Sequence, residues 1–118
     1  MNPPNSPPLL ILAKTASATL THAEHGALIT NRGATGTVTL TLPKASYSPG
    51  IRFRFVRVAA QAVRVNPQDA DQLMDTDGTL LTAGFYQELG STGATLEYVS
   101  DGTNWINVAE RGTINDET

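Results

Sequence analysis

The chain has 118 residues, of which 40% are hydrophobic and only 6% aromatic, with no cysteine and a formal net charge of -3. This length fits one domain with a terminal extension. The missing cysteines exclude a disulfide framework and a thiolate metal site, and the negative charge argues against a protein that holds the phosphates of a nucleic acid. We therefore expect no nucleic-acid partner.

The first eight residues are rich in proline, at Pro3, Pro4, Pro7 and Pro8. Such a segment cannot enter a helix or the interior of a sheet, so it predicts an extended arm over residues 1–8. The arm is either a disordered terminus or a segment that lies along a neighbouring subunit. The apolar run that follows is too short to span a membrane, and no membrane association is expected.

After the arm, three runs have the composition of strands: Leu9–Ala16, Ala18–Thr21 and Ala27–Thr30. The intervening His22–Gly26 reads as a loop. Residues 31–36 predict a turn, because Asn and Gly tolerate positive φ.

The clearest periodicity lies in residues 36–65. Val and Leu alternate with Thr over residues 38–42, the pattern of a half-buried strand, and Pro43 ends it. A second alternation begins at Ile51 and slips its phase at Phe55–Val56, which predicts a β-bulge.

A third strand over residues 63–65 follows the short Ala60–Gln61 corner, so it is expected to form a hairpin with the strand before it. Asn66–Asp71 reads as a turn. Beyond this turn only short, weak strands are predicted: Gln72–Asp75, Thr79–Leu81 and Phe85–Leu89.

Residues 93–108 predict a further hairpin. A two-residue loop at Asp101–Gly102 would mix apolar with polar side chains on both faces. A three-residue loop, Ser100–Gly102, pairs Leu96 with Ile106 on an apolar face and is favoured for that reason.

This register places Trp105, the only tryptophan, on the face opposite Ile106. It either closes the end of the barrel or anchors an interface. A core with so few aromatic side chains buries little apolar surface, and association would bury more. We therefore predict a homotrimer with Phe55, Val56 and Trp105 at subunit contacts.

No segment has a sustained helical period. The sequence predicts an all-β fold: a single β-sandwich or jelly-roll-like domain over residues 9–112, with the extended proline-rich arm before it and a C-terminal tail over residues 113–118. Eight to ten short strands are expected, by the spacing of the turn signals.

Candidates for chemistry are few. His22 and His25 are three apart, but no third zinc ligand at matching spacing is evident. Asp75 and Asp77 resemble part of a calcium loop, yet the first and twelfth ligand positions would fall on Leu73 and Gly84. With no nucleophile elbow or phosphate loop either, we expect no enzyme, no metal and no cofactor.

Four of the eight basic residues lie within a short stretch: Arg52, Arg54, Arg57 and Arg64. On one face of a sheet they would form a positive stripe. The stripe either meets an acidic partner or is a solvated outer face whose charges discourage edge pairing.

Several motifs follow one another along the chain: Ile29–Asn31 with a glycine turn, Val38–Pro43, a strand led by Gly50, Val63–Pro67, Asp71–Leu73 and Val99–Trp105. In this order they resemble a small β-domain of tailed-phage virion proteins, found in head decoration (cement) proteins and in segments of tail fibres. The match covers residues 27–108, and Val99–Trp105 is its most specific piece.

The resemblance implies a β-sandwich or jelly-roll module that commonly assembles as a trimer and has no catalytic residues. It predicts a decoration protein on the capsid surface of the virion, with the major capsid protein and itself as partners. The alternative is a tail-fibre or adaptor domain that recognises a host surface or another tail protein, and an unrelated β-sandwich adhesin is a third reading. Contacts with the partner are expected from Pro3, Pro4, Pro7, Pro8, Arg52, Arg54 and Arg57.

Overall fold

A computed structural model describes residues 9–118, so the proline-rich arm lies outside the described residues. The strands are β1 (Ile11–Ala13), β2 (Ala18–Thr19), β3 (Leu28–Thr30), β4 (Val38–Thr41), β5 (Arg52–Val56), β6 (Val63–Asn66), β7 (Leu73–Met74), β8 (Gln87–Leu89), β9 (Thr95–Ser100), β10 (Trp105–Arg111) and β11 (Ile114–Asp116). Two short 3-10 turns, His22–Glu24 and Ala45–Tyr47, are the only helical segments between residues 9 and 118.

The strands form two sheets, and the predicted all-β fold is confirmed. The first sheet has the order β1-β3-β5-β9-β10-β7, and the second has the order β11-β8-β6-β4-β2. The first six strands alternate between the sheets, so the chain returns to each sheet running in the same direction. The pairs β1–β3, β3–β5, β2–β4 and β4–β6 are therefore parallel. The later pairs β5–β9, β9–β10, β6–β8 and β8–β11 are antiparallel.

The core lies between the two sheets and consists mainly of inward residues of the central strands, with loop residues such as Leu20, Leu42 and Ala94. Aliphatic side chains of the second sheet, such as Leu40 and Val65, belong to the same buried cluster as the rings of the first. Phe53 lies 5.8 Å from Trp105 between ring centroids, and Phe55 lies 6.3 Å from Tyr98. Four of the seven aromatic residues thus lie on strands of the first sheet, and their rings are buried in the core.

The predicted hairpin of β5 and β6 is wrong, because these strands belong to different sheets. The predicted bulge at Phe55–Val56 is also wrong, since β5 keeps one register with both neighbours to its end at Val56. The phase slip marks the point where the chain leaves the first sheet. Buried Asn31 holds this crossing: its Oδ1 accepts hydrogen bonds from the amides of Val58 (2.8 Å) and Ala59 (2.9 Å). Its Nδ2 donates to the carbonyl of Gln61.

The loop between β9 and β10 is longer than predicted and spans Asp101–Asn104, because Trp105 lies opposite Ser100. Asp101 closes this wider turn, its Oδ1 accepting from the amides of Thr103 (2.9 Å) and Asn104 (2.8 Å). The bulge of this sheet lies in β10, where the register shifts between Asn107 and Ala109. Because the longer loop sets the register before this bulge, Trp105 and Asn107 face the core.

The chain beyond residue 112 is not a tail. Ile114–Asp116 form β11 and pair antiparallel with β8, so the sandwich extends to Asp116. Of the weak strands predicted before β9, two appear as β7 and β8. The Thr79–Leu81 segment contributes only a bridge between Leu80 and Met74. No helix among residues 9–118 is long and apolar enough to cross a bilayer.

Candidate interaction surface

The outer face of the first sheet brings together side chains from strands far apart in sequence. Alternate residues of a strand point to the same side, and the register aligns them across the sheet. One row of this outer face contains Ile11, Leu28, Arg54, Glu97 and Ala109. The next row contains Ala13, Thr30, Val56, Thr95 and Arg111. Apolar and charged groups are therefore mixed on this surface.

Two shallow grooves lie on the outer face. The first, of about 240 Å³, is lined by Leu9, Gly26, Ala27, Leu28, Arg52, Arg54 and Glu97. The second, of about 340 Å³, is lined by Leu28, Arg54, Val56, Thr95, Glu97, Ala109, Glu110 and Arg111. Since the grooves share Leu28, Arg54 and Glu97, they are adjacent parts of one surface.

An ion pair separates the two grooves. Arg54 donates from Nε to Oε1 of Glu97 at 3.0 Å, and its Nη2 contacts the same oxygen. The Glu97 side chain is only 12% exposed, whereas that of Arg54 is 55% exposed. Glu97 therefore holds the guanidinium in place while leaving much of it open to a partner.

Two further arginines border the grooves, Arg52 on the first and Arg111 on the second. Both are exposed, and neither forms an ion pair within residues 9–118. The outer face therefore carries positive charge that the described part of the chain does not neutralise, although the whole chain is acidic.

The predicted arginine stripe is split by the fold. Arg52 and Arg54 do lie together on the outer face. Arg57 lies past the end of β5, where Nε donates to the carbonyl of Ala59 and Nη1 to that of Leu89, each at 3.3 Å. These bonds tie Arg57 to the region between the sheets.

Arg64 lies on the opposite surface, in the second sheet. It bonds Glu88 at 2.8 Å, and its guanidinium carbon lies 4.6 Å from the centre of the Tyr86 ring. Arg57 and Arg64 therefore belong to separate local networks, and the single stripe expected from the sequence does not form.

Two of the predicted subunit contacts are wrong. Phe55 and Trp105 are both 0% exposed within one chain, so neither ring can touch a partner in this fold. Trp105 also donates from Nε1 to the carbonyl of Pro43 at 2.9 Å, which satisfies its polar group internally. Val56 lies on the outer face and is partly exposed. The homotrimer stays a prediction, but its contacts have to come from other residues.

The four arm prolines predicted to bind a partner, Pro3, Pro4, Pro7 and Pro8, lie outside the described residues. The first described residue, Leu9, lines the first groove.

Sequence reasoning missed a contact between a serine and a histidine, because the two are far apart in the chain. Nε2 of His22 lies 2.8 Å from Oγ of Ser48. Ser48 is 1% exposed, and its hydroxyl donates to the carbonyl of Lys44 at 2.7 Å. A catalytic base must accept the serine proton, whereas here His22 has to donate to the hydroxyl. This pair joins two loops and is not arranged as a nucleophile with its base.

The other candidates for chemistry have structural partners too. His25 accepts a hydrogen bond from the amide of Arg52 at Nδ1. Asp77 accepts from the amide of Thr79, and this bond lowers the pKa of its carboxyl. Within residues 9–118 no group of three or more His, Asp or Glu side chains is placed to hold a metal ion.

A buried polar cluster lies between the sheets and contains Gln87, Tyr98 and Asn107. Tyr98 donates to Oε1 of Gln87, and Gln87 donates from Nε2 to Asp116 at 2.9 Å. Nearby, Nδ2 of Asn107 donates to Glu110 at 2.8 Å, while Oδ1 of Asn107 has no partner. Burial raises the pKa of Tyr98 well above its usual value, and the neighbouring carboxylates raise it further. The cluster links both sheets.

No model of a known protein family matches this chain, and no curated protein matches it.

Proposed function

We propose that the chain is a non-enzymatic structural protein of a tailed-phage virion, a decoration protein that binds the outside of the major capsid shell and stabilises it. The proposal starts from the order of motifs ending in Val99–Trp105. The two-sheet, all-β fold agrees in class with the modules that these motifs resemble.

The observation that carries the proposal is the outer face of the first sheet. This face is broad and shallow. Its polar groups are long charged side chains, and they do not converge on one enclosed pocket as the polar groups of a small-molecule site do. Apolar patches mixed with arginines are typical of surfaces that bind proteins. Arg54 is positioned by Glu97, whereas Arg52 and Arg111 are available for acidic groups of a partner.

The partner that fits this surface is an acidic patch of the major capsid protein. We expect the purified protein to sediment with capsids that lack it, and Arg52→Glu to weaken this binding by about tenfold or more, because a reversed charge at a protein interface costs several kcal/mol. Arg32→Glu is the matched control. Arg32 is equally basic and exposed but lies in the turn after β3, away from both grooves.

If Arg52→Glu and Arg32→Glu bind capsids equally well, the outer face is not the attachment surface. Copy number separates the two classes of virion protein. A decoration protein is present in many copies per purified particle, and a tail-fibre or adaptor domain in few. A low copy number in quantitative mass spectrometry would overturn the capsid assignment in favour of the tail.

A further inference from the structure

The edge of the first sheet formed by β1 is unusually apolar. Leu9, Leu10 and Ile11 are consecutive and are 57%, 46% and 62% exposed. Edge strands of soluble proteins usually carry charges or prolines that prevent pairing with another strand. Here the apolar segment is itself the edge, and large exposed apolar groups that are contiguous mark an interaction site.

The backbone of this edge can accept another strand. The Leu10 carbonyl and the Lys14 amide bond to β3, at 2.8 Å each. Backbone groups of alternate residues point to opposite sides of a strand, so Ile11 and Ala13 direct their N–H and C=O groups away from β3. Among residues 9–118 no strand lies beyond β1. The edge therefore offers unpaired donors and acceptors beside exposed apolar side chains.

A second copy of this chain fits the edge better than a charged partner does. Lys14, the charged residue that directly follows β1, is paired with Glu24 at 2.5 Å. Two such edges can thus approach without bringing bare like charges together. The other edge strands match β1 poorly, because β2 and β7 have two residues each and β11 carries Asn115 and Asp116.

We propose that two copies of the chain pair through β1, antiparallel about a two-fold axis that passes beside Ile11. In this register Leu9 lies opposite Ala13 of the second copy, Leu10 lies opposite Leu12, and Ile11 faces its own equivalent. The first sheet continues across the axis, and the contact uses the same surface of both copies, so the assembly closes as a dimer. This inference goes beyond the capsid role and does not depend on it.

The test uses charge substitutions at the axis. Ile11→Lys or Ile11→Glu alone places two like charges against each other, and we expect either variant to have half the molar mass of the parent by light scattering. An equal mixture of the two variants is expected to recover the dimer, because lysine then faces glutamate. Ile11 is largely exposed within one chain, so both variants are expected to keep the circular dichroism spectrum of the folded parent.

Val108→Lys is the control, since Val108 is also exposed, at 50%, but lies on β10 away from this edge. We expect it to remain dimeric. A parent that is monomeric at every concentration overturns the proposal, as does a parent whose mass is unchanged by Ile11→Lys. A mixture of the two Ile11 variants that stays monomeric overturns the antiparallel arrangement.

Discussion

Trp105 is the largest fully buried side chain in the domain, and its position depends on one loop. The Asp101–Asn104 loop sets the register of β10 so that the ring faces inward, against Phe53. There the indole N–H bonds the Pro43 carbonyl. The side chain thus contributes both packing and a buried hydrogen bond, and both roles are internal to one chain.

We expect Trp105→Ala to lower the free energy of unfolding by about 3–5 kcal/mol, the range for deleting a large buried ring. Trp105→Phe keeps most of the burial but leaves the Pro43 carbonyl without this donor, a loss of about 1–3 kcal/mol. Urea titrations measure both values. Val108→Ala, at an exposed position of the same strand, is expected to change stability by less than about 0.5 kcal/mol. A Trp105→Ala protein as stable as the parent would show that the ring is not in the core.

At the scale of elements, the turn between β10 and β11 depends on Gly112. Its φ is +81°, and a Cβ added there would lie 2.9 Å from the Cα of Ala94. Gly78 has a similar φ of +87°, but a Cβ added there would meet nothing within 4 Å. The two glycines therefore separate the cost of backbone conformation from the cost of a steric clash.

We expect Gly112→Ala to destabilise the protein more than Gly78→Ala. The second substitution costs about 1–2 kcal/mol, because a left-handed conformation is unfavourable for alanine. Gly112→Ala incurs the same conformational cost, and its added methyl group must also displace β11 or Ala94. Thermal denaturation of both variants measures the difference. If the two lose the same stability, the close approach of Gly112 to Ala94 does not limit the position of β11.

At the scale of the whole molecule, carboxylates from both sheets lie at the rim of the buried polar cluster: exposed Glu110 and Asp116 accept hydrogen bonds from buried Asn107 and Gln87. Partial desolvation at this rim, the largest cause, raises the pKa of Glu110, and the charges of Asp75 and Asp116 raise it further, against the hydrogen bond from Asn107. In the folded state Glu110 therefore holds a proton at pH values at which it has lost it in the unfolded chain. Stability from this group falls as the pH rises from the unfolded pKa to the raised folded pKa.

This sign predicts the effect of Glu110→Gln, which keeps an acceptor for Asn107 and removes the charge. The variant is expected to melt at a higher temperature than the parent at pH 7. The difference should disappear below the ordinary pKa of a glutamate, where the parent is protonated in both states. Glu97→Gln, which removes the partner of Arg54, is not expected to raise the melting temperature at pH 7. A lower melting temperature for Glu110→Gln at that pH would contradict the assigned sign.

Local patterns predicted the parts of the fold that depend on neighbours in sequence. Alternation over Val38–Thr41 and Arg52–Val56 predicted two strands with one buried face each, because the period of two is a property of a single strand. The same period placed Arg52 and Arg54 on one face of the candidate surface. Gly102, the last residue of the predicted loop, has a φ of +90°, which glycine adopts at little steric cost.

Only the tertiary structure decided which strands are neighbours. Strands β5 and β6 follow each other in sequence, yet they belong to different sheets. Where the chain crosses between the sheets, the amide of Val58 donates to Asn31, which lies 27 positions earlier in the sequence. The same holds for the candidate surface: Leu28 and Glu97 join Arg54 because β3 and β9 flank β5. Composition and periodicity determine that a strand forms and which of its faces is apolar. They do not determine which strand pairs with it, because pairing uses backbone groups that every residue has. The neighbouring strand is therefore decided by the packing of the whole domain.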